Sequence, residues 1–399
     1  MNNSKQIKPR LLNIKLPKGK SVFLWGPRKV GKTFWLKNQF LVDKSINHDS
    51  LYIDLLKTDL LVEYLTSPSL LRERYHKHPA HLIVIDEIQK VPGLLDEVHW
   101  LIENTNKSFI LTGSSARKLK RNHANMLGGR AWRRIMTPLS ITELYEKDID
   151  LEHILNSGLL PSHYLSNSPI EELRGYVADY LKEEIIDEAS VQNIPAFSNF
   201  LNVMAITNSE LLDYTKVASE SGVSSKVVRT YFDILEDTYL GFRVPPWTKS
   251  KERRMIQTEK FYLFDVGVAN YLAKRKVQTG SSEFGKSFEH LILMELKAYQ
   301  AYRNQELDIK FWRTASGYEV DFIIGNALLA IEIKAKKKIT EKDLKGLSVI
   351  SEEMKVKKKI IVSLESTPRK ITLHNGKLTE IEILPWLEFI KRLWAGEYL

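Results

Sequence analysis

The chain has 399 residues, too many for one ordinary core, so two or three domains are expected. A hydrophobic fraction of 43% and a charged fraction of 27% exclude low complexity and wholesale disorder, and the lack of cysteine excludes disulfides, thiolate nucleophiles, zinc fingers and iron–sulfur clusters. The net charge of +10 favours a polyanionic partner, nucleic acid before an anionic membrane, with plain solubility as the alternative.

The first twenty residues are charged and have no apolar stretch, unlike a secretory signal, and no run approaches the ~18 apolar residues of a membrane span. A cytoplasmic protein with no membrane partner is therefore expected. Between 20 and 145, short apolar runs at 22–25, 51–54, 82–85 and 109–111 alternate with helical stretches, the pattern of a parallel α/β sheet. From 146 to about 240 the apolar spacing becomes helical, with polar breaks at 166–169 and 221–222. Strand signals return at 261–264, 310–312, 319–324, 328–334 and 359–362, mixed with helical segments such as 284–296. The expected divisions are 1–145, 146–255 and 256–399.

The first apolar run leads into Gly26-Pro27-Arg28-Lys29-Val30-Gly31-Lys32-Thr33 and then into helical sequence starting at Phe34. This is G-x-x-x-x-G-K-[ST] with a strand before and a helix after. Its glycines let backbone N–H groups turn inward around a phosphate, Lys32 can neutralise the β- and γ-phosphates, and the Thr33 hydroxyl can ligate Mg²⁺. The third run ends in Asp86-Glu87. Asp86 would hold Mg²⁺ through water, and Glu87 would polarise the attacking water. The fourth ends in Thr112-Gly113-Ser114-Ser115, where Thr112 or Ser114 could touch the γ-phosphate or the lytic water, or could simply cap a helix.

In the middle region, apolar residues at 211–218 and 227–235 flank Gly222 and read as two amphipathic helices joined by a tight turn, with Ser224 as N-cap of the second. The outward residues Ser225, Lys226, Arg229 and Thr230 suit a major-groove helix. Arg243 and the basic run Lys249, Lys251, Arg253 and Arg254 could form a wing that contacts phosphates. A lid or a subunit interface is the plainer alternative. Further on, Gly325-Asn326 suggests a two-residue hairpin in which Ile324 faces Ala327, Phe322 faces Leu329 and Val320 faces Ile331. The opposite face then carries Glu319, Asp321, Glu332 and Lys334. Three carboxylates so placed repel unless a cation, the lysine or protonation compensates. Lys336 and Lys337 beyond the strand would contact phosphate, or form an ordinary solvated strand end.

The segments 26–33, 86–92, 111–115 and 127–130 resemble AAA+ ATPases of bacteria and archaea that carry a DUF4143-type C-terminal region, over nearly the whole chain. The resemblance implies an AAA+ ATPase domain with ATP and Mg²⁺ bound, a sensor position near 112–115, a winged-helix unit in the middle and possible homo-oligomer assembly. Arg130 matches the family's Gly-Arg signature, with Gly128-Gly129 in place of the more usual Ala-Gly. An arginine there would contact a γ-phosphate in cis or from a neighbouring subunit, a role for which Arg133 and Arg134 compete. The Asp…Glu-x-Lys pattern, with Glu289 on a preceding helix, resembles the PD-(D/E)XK nuclease core of restriction-endonuclease-like α+β domains, although Val320 replaces the usual proline. It implies Glu289, Asp321 and Glu332 as ligands of a second Mg²⁺ or Mn²⁺, and Lys334 as the group that orients water. The leading reading is a Mg²⁺-dependent AAA+ ATPase coupled to DNA binding or processing. The alternatives are an ATP-regulated metal-dependent nuclease, and an ATP-dependent switch with a protein partner and an inactive nuclease-like domain.

Overall fold

The computed structural model describes residues 9–16, 19–42, 50–115, 117, 119, 127–144, 149–181, 193–248, 255–374 and 378–399. The first body is an α/β layer. Its strands are β1 (Ser21–Trp25), β2 (Ser50–Asp54), β3 (Leu82–Asp86), β4 (Ser108–Gly113) and β5 (Ala131–Ile135), in the order β2-β3-β4-β1-β5. All pairings are parallel, so all five strands end at one edge. β1 and β4 are buried throughout, which is why they read as unbroken apolar runs. β5, Ala-Trp-Arg-Arg-Ile, lacks that signature because it is an edge strand with a half-exposed surface. Helix α1 (Lys32–Trp35) follows β1 and runs on as a π-helical turn, Leu36–Phe40. Helices α2 (Thr58–Thr66) and α3 (Leu70–Tyr75) join β2 to β3, and α4 (Leu94–Asn104) joins β3 to β4.

The helical region contains α5 (Leu151–Ser157), α6 (Pro161–Leu165), α7 (Pro169–Gly175), α8 (Ile194–Ile206), α9 (Tyr214–Ser221) and α10 (Ser225–Asp237). Gly222 ends α9 in a left-handed conformation, and the Ser224 hydroxyl accepts from the Val227 N–H at 3.4 Å to cap α10. An antiparallel hairpin of β6 (Gly241–Val244) and β7 (Lys260–Leu263) follows, with Val244 opposite Lys260. After α11 (Val266–Leu272) and the long α12 (Ser282–Arg303) comes the second large sheet. It is built from β8 (Ile309–Arg313), β9 (Glu319–Ile324), β10 (Leu329–Lys334), helix α13 (Lys345–Glu353), β11 (Lys358–Ser363), β12 (Arg369–His374) and β13 (Leu378–Pro385), and helix α14 (Trp386–Trp394) closes the chain. Its order is β12-β13-β11-β10-β9-β8.

The β9–β10 register differs from the expected one by two residues: Ile324 pairs with Leu329 and Phe322 with Ile331. The turn has four residues, not two, because β11 pairs alongside. The N–H groups of Lys357 and Lys358 reach the Ala327 and Leu328 carbonyls, drawing both residues out of the hairpin. A shift of two preserves the pleat, so Asp321 and Glu332 stay on one face.

The cores do not follow the expected divisions. One face of the first sheet packs with α8, α10 and β7 through Leu24, Phe200, Phe232 and Phe261. Leu139, Ile154 and Tyr164 instead join the core of the second sheet. Among the described residues no helix is long and apolar enough to cross a membrane.

Candidate functional site

The loop after β1 turns sharply, with Gly26 at φ 150°, Lys29 at φ 62° and Gly31 at φ 93°. Gly26 has no substitute here, since a Cβ would lie 2.2 Å from the Met136 carbonyl oxygen. Pro27 and Val30 are buried, Arg28 and Lys29 half-buried, and Phe34 exposed. The buried Lys32 ammonium donates to the Gly26 and Pro27 carbonyls at 2.7 and 2.9 Å, folded across the loop it would share with a phosphate.

Asp86 ends β3, fully buried, and collects three hydroxyls. Thr33 Oγ1 donates to Asp86 Oδ2 at 2.7 Å, Tyr52 of β2 donates to the same oxygen, and Thr112 of β4 donates to Oδ1. Hydroxyl and carboxylate oxygens in contact are hard donors suited to Mg²⁺, so the residues present fit the expected metal. Thr112 also accepts from the Glu87 N–H at 3.1 Å, which fixes Glu87 in a left-handed conformation at φ 62°. The Glu87 carboxylate accepts from Gln89 Nε2, which also donates to Ser114 Oγ at 3.2 Å. Thr112 therefore orients the acidic pair and is not a helix cap. Tyr52 carries no motif signal and comes to light only through its bond to Asp86; Gln89 lies within the family-like segment 86–92, but its hold on Glu87 shows only in these bonds.

Two arginines occupy unexpected places. Arg130 precedes β5 at the edge of the sheet opposite the loop, ~15 Å away at strand spacing, and pairs with Glu103 of α4. A contact with a phosphate in the same chain is excluded by that topology. Of its competitors, Arg133 is exposed on β5, and Arg134 donates to Asn304 Oδ1 at 2.8 Å. Arg10, which no motif flags, is buried against the loop. It donates to the Val30 carbonyl at 2.6 Å and to Tyr302 of α12, and forms an ion pair with Glu143 at 3.1 Å. Despite its burial, the charges of Tyr302 and Glu143 keep its pKa above the ordinary arginine value.

On α10, Lys226, Arg229 and Thr230 are exposed and Ser225 is half-buried. Arg229 stacks over the Tyr214 ring at 4.2 Å. Arg243 is not a free wing residue, for it is held by Glu236 and Asp233 of α10. Lys249, Lys251, Arg253 and Arg254 lie outside the described residues. Lys336 is exposed but paired with Asp343 at 2.5 Å, and Lys337 is exposed.

The C-terminal carboxylates lie close enough to act on one another's charge, but not in the ligand arrangement expected. Among the described residues no three His, Asp or Glu side chains gather to hold a metal ion. Glu289 instead accepts from Lys260 of β7 at 3.1 Å and from Tyr262. Asp321 accepts from the Ile333 N–H at 2.7 Å, and Glu332 pairs with Lys334. The physical reason is Lys260, whose buried ammonium also meets Glu319 at 2.7 Å. Burial, followed by the charges of Glu332 and Glu289, pushes Asp321 well above the carboxylate range. Burial likewise raises Glu332 to about 7, against the pull of Lys334. The repulsion foreseen from sequence is met by the ammoniums of Lys260 and Lys334, and the raised pKa values favour protonation of the pair.

Residues 18–145 match the family model for an AAA domain, residues 148–279 that for a domain of unknown function (DUF8612), and residues 284–384 that for a second one (DUF4143). An uncharacterized protein of Methanocaldococcus jannaschii is 24% identical over 409 residues, covering 94% of this chain and 89% of that protein. An uncharacterized protein of Haemophilus influenzae is 23% identical over 261 residues, 61% of this chain and 62% of that protein. Among solved structures, the Aeropyrum pernix ORC1 protein in complex with DNA is 11% identical with a TM-score of 0.27, covering 65% of this chain and 87% of that one. AMPPCP-bound DnaA from Aquifex aeolicus is 11% identical with a TM-score of 0.28, covering 55% and 82%. Likenesses that weak carry no argument about function. The AAA-domain match at 18–145 does bear on function, and residues 284–384 carry a DUF4143 domain, whose function is not known.

Proposed function

We propose that the chain is a Mg²⁺-dependent ATPase of AAA+ type that passes its nucleotide state to DNA-contacting units. The observation that carries this reading is the convergence of Thr33, Tyr52 and Thr112 on Asp86, at the sheet edge where the glycine loop opens. Bound Mg²⁺ would offset phosphate charge there. Lys32 would leave its loop carbonyls for the β- and γ-phosphates, Thr33 and Asp86 would hold the ion, and Glu87 would accept the proton of the attacking water. Gln89 and Ser114 position Glu87, and Arg130, on the far edge, serves a neighbouring copy's site in a homo-oligomer.

Two contacts support coupling. Arg117, just beyond β4, pairs with Asp237 at the end of α10 at 3.3 Å, and Arg10 ties the phosphate loop to α12. The exposed Lys226, Arg229 and Thr230 on α10 then give the DNA contact, with Lys337 as a second phosphate anchor. Lys32→Ala should abolish ATP binding, whereas Glu87→Gln should retain ATP and lose turnover; parental turnover by Glu87→Gln refutes the assignment. Lys226→Glu with Arg229→Glu should weaken binding to all DNA sequences and lower the salt slope by about 2. Unaltered affinity in that double variant would favour a protein partner instead.

A further inference from the structure

The C-terminal carboxylate cluster meets a cation that no motif announces. Lys260 is 4% exposed, and its ammonium lies 3.1 Å from Glu289, 2.7 Å from Glu319 and 5.4 Å from the centre of the Phe311 ring. It reaches across from β7, outside the sheet that carries Glu319, Asp321 and Glu332. Its backbone is pinned on both sides, paired with Val244 of β6 and bridged to Leu211, while the neighbouring Glu259 carbonyl accepts from the Leu212 N–H at 2.8 Å. The backbone is thus held in place, and the ammonium it carries has two carboxylate partners and an attractive ring contact.

We propose that Lys260 is a built-in counter-ion standing where a divalent cation would sit, so that the nuclease-like unit binds no metal and cuts no nucleic acid. The proposal rests on the nuclease-like reading of Asp321, Glu332 and Lys334. Mg²⁺ and Mn²⁺ need several carboxylate or water oxygens at ~2.1 Å in octahedral array. Here one oxygen of each expected ligand is engaged elsewhere, Glu332 Oε1 by Lys334. Glu289 and Glu319 hold the lysine, Arg313 takes the second Glu319 oxygen at 3.3 Å, and one Asp321 oxygen accepts from the Ile333 N–H. Glu332 Oε2, which is buried without a hydrogen bond, lies beneath the first turn of α13, where a Cβ on Gly346 would be 3.6 Å from it. An incoming divalent ion would also meet the repulsion of the fixed ammonium. The lysine thus gives the cluster a fixed cation, and the hairpin that carries it is tied to the C-terminal sheet by an ionic cross-strut.

The test is Mn²⁺ titration by calorimetry and electron paramagnetic resonance on the nucleotide-free full chain, comparing the parent, Asp321→Asn, Lys260→Met, and Lys260→Met with Asp321→Asn. The parent and Asp321→Asn should show the same absence of Mn²⁺ binding at this cluster. Lys260→Met should gain one Mn²⁺ per chain, on the order of 100-fold tighter than the parent, and the added Asp321→Asn should remove it. Asp321-dependent Mn²⁺ binding by the parent overturns the counter-ion role while leaving the nuclease-like reading intact. A folded Lys260→Met that takes up no Mn²⁺, or takes it up regardless of Asp321, overturns the proposal by removing the nuclease-like reading beneath it. If Lys260→Met does not fold, the parent and Asp321→Asn decide alone, together with a strand-cleavage assay in Mn²⁺. Asp321-dependent cleavage by the parent refutes the proposal, and equal inactivity in both supports it.

Discussion

Thr112→Val keeps the side chain's shape and removes one hydroxyl that serves two groups, the buried Asp86 carboxylate and the part-buried Glu87 N–H. In the parent that hydroxyl donates to Asp86 Oδ1 and accepts from the Glu87 N–H at 3.1 Å, with Thr112 and Asp86 fully buried. Valine leaves Asp86 Oδ1 without its donor and the Glu87 N–H without its acceptor. At roughly 1–3 kcal/mol for each unsatisfied polar group, the variant should lose about 2–4 kcal/mol of stability, discounted toward the lower end because Asp86 retains Thr33 and Tyr52 as donors. The catalytic loss should be larger than the stability loss implies. Glu87 occupies a left-handed conformation that a non-glycine residue adopts at a cost of ~1–3 kcal/mol, and the Thr112 acceptor helps to hold it there. Once released, the Glu87 carboxylate shifts on the scale of an ångström, which is worth about a hundredfold in rate. Urea unfolding gives the stability, and single-turnover ATP hydrolysis gives the rate with binding separated out. Thr112→Ser, which preserves both bonds, should behave like the parent in each assay. A Thr112→Val protein that unfolds and hydrolyses ATP like the parent would refute the claim that this hydroxyl organises the acidic pair.

Two further predictions test the buried charges. Arg10→Met should destabilise the chain by about 3–5 kcal/mol in denaturant titration, because it leaves Glu143 buried without its 3.1 Å partner and frees the Val30 carbonyl of the phosphate loop. Glu295 of α12 is wholly buried and accepts from the Ile141 N–H at 2.6 Å and Trp394 Nε1 at 3.0 Å, and burial raises its pKa to about 7. The folded state therefore binds this proton more tightly than the unfolded one, so its contribution is full below about pH 4.5 and fades as pH rises to about 7. Glu295→Gln should remove up to roughly 3 kcal/mol of that pH dependence, read as a flatter plot of melting temperature against pH; identical slopes in parent and variant would exclude it.

The nucleotide loop and its acids are legible in one dimension because their chemistry is local. A phosphate cradle needs its glycines and lysine within eight residues, and the strands beside it are buried on both faces, so each appears as an apolar run with its functional residue at the end. The helix–turn–helix pair is legible for the same reason, since amphipathic spacing and a capping serine lie within one segment. β5 escapes notice because an edge strand need not be apolar on both faces. The hairpin register is misjudged because β11, some thirty residues downstream, competes for the turn's carbonyls. Tyr52, Arg10 and Lys260 leave no mark in the sequence at all. Each acts across 20 or more residues on a group whose position depends on strand order and helix packing: Tyr52 on Asp86, Arg10 on Val30 and Tyr302, Lys260 on Glu289 and Glu319. Composition and apolar pattern say which charges exist and which stretches must be buried. Which charges meet is settled by packing, because in a buried site the energy of a charge depends on its neighbours within a few ångströms, and chain separation says nothing about that distance.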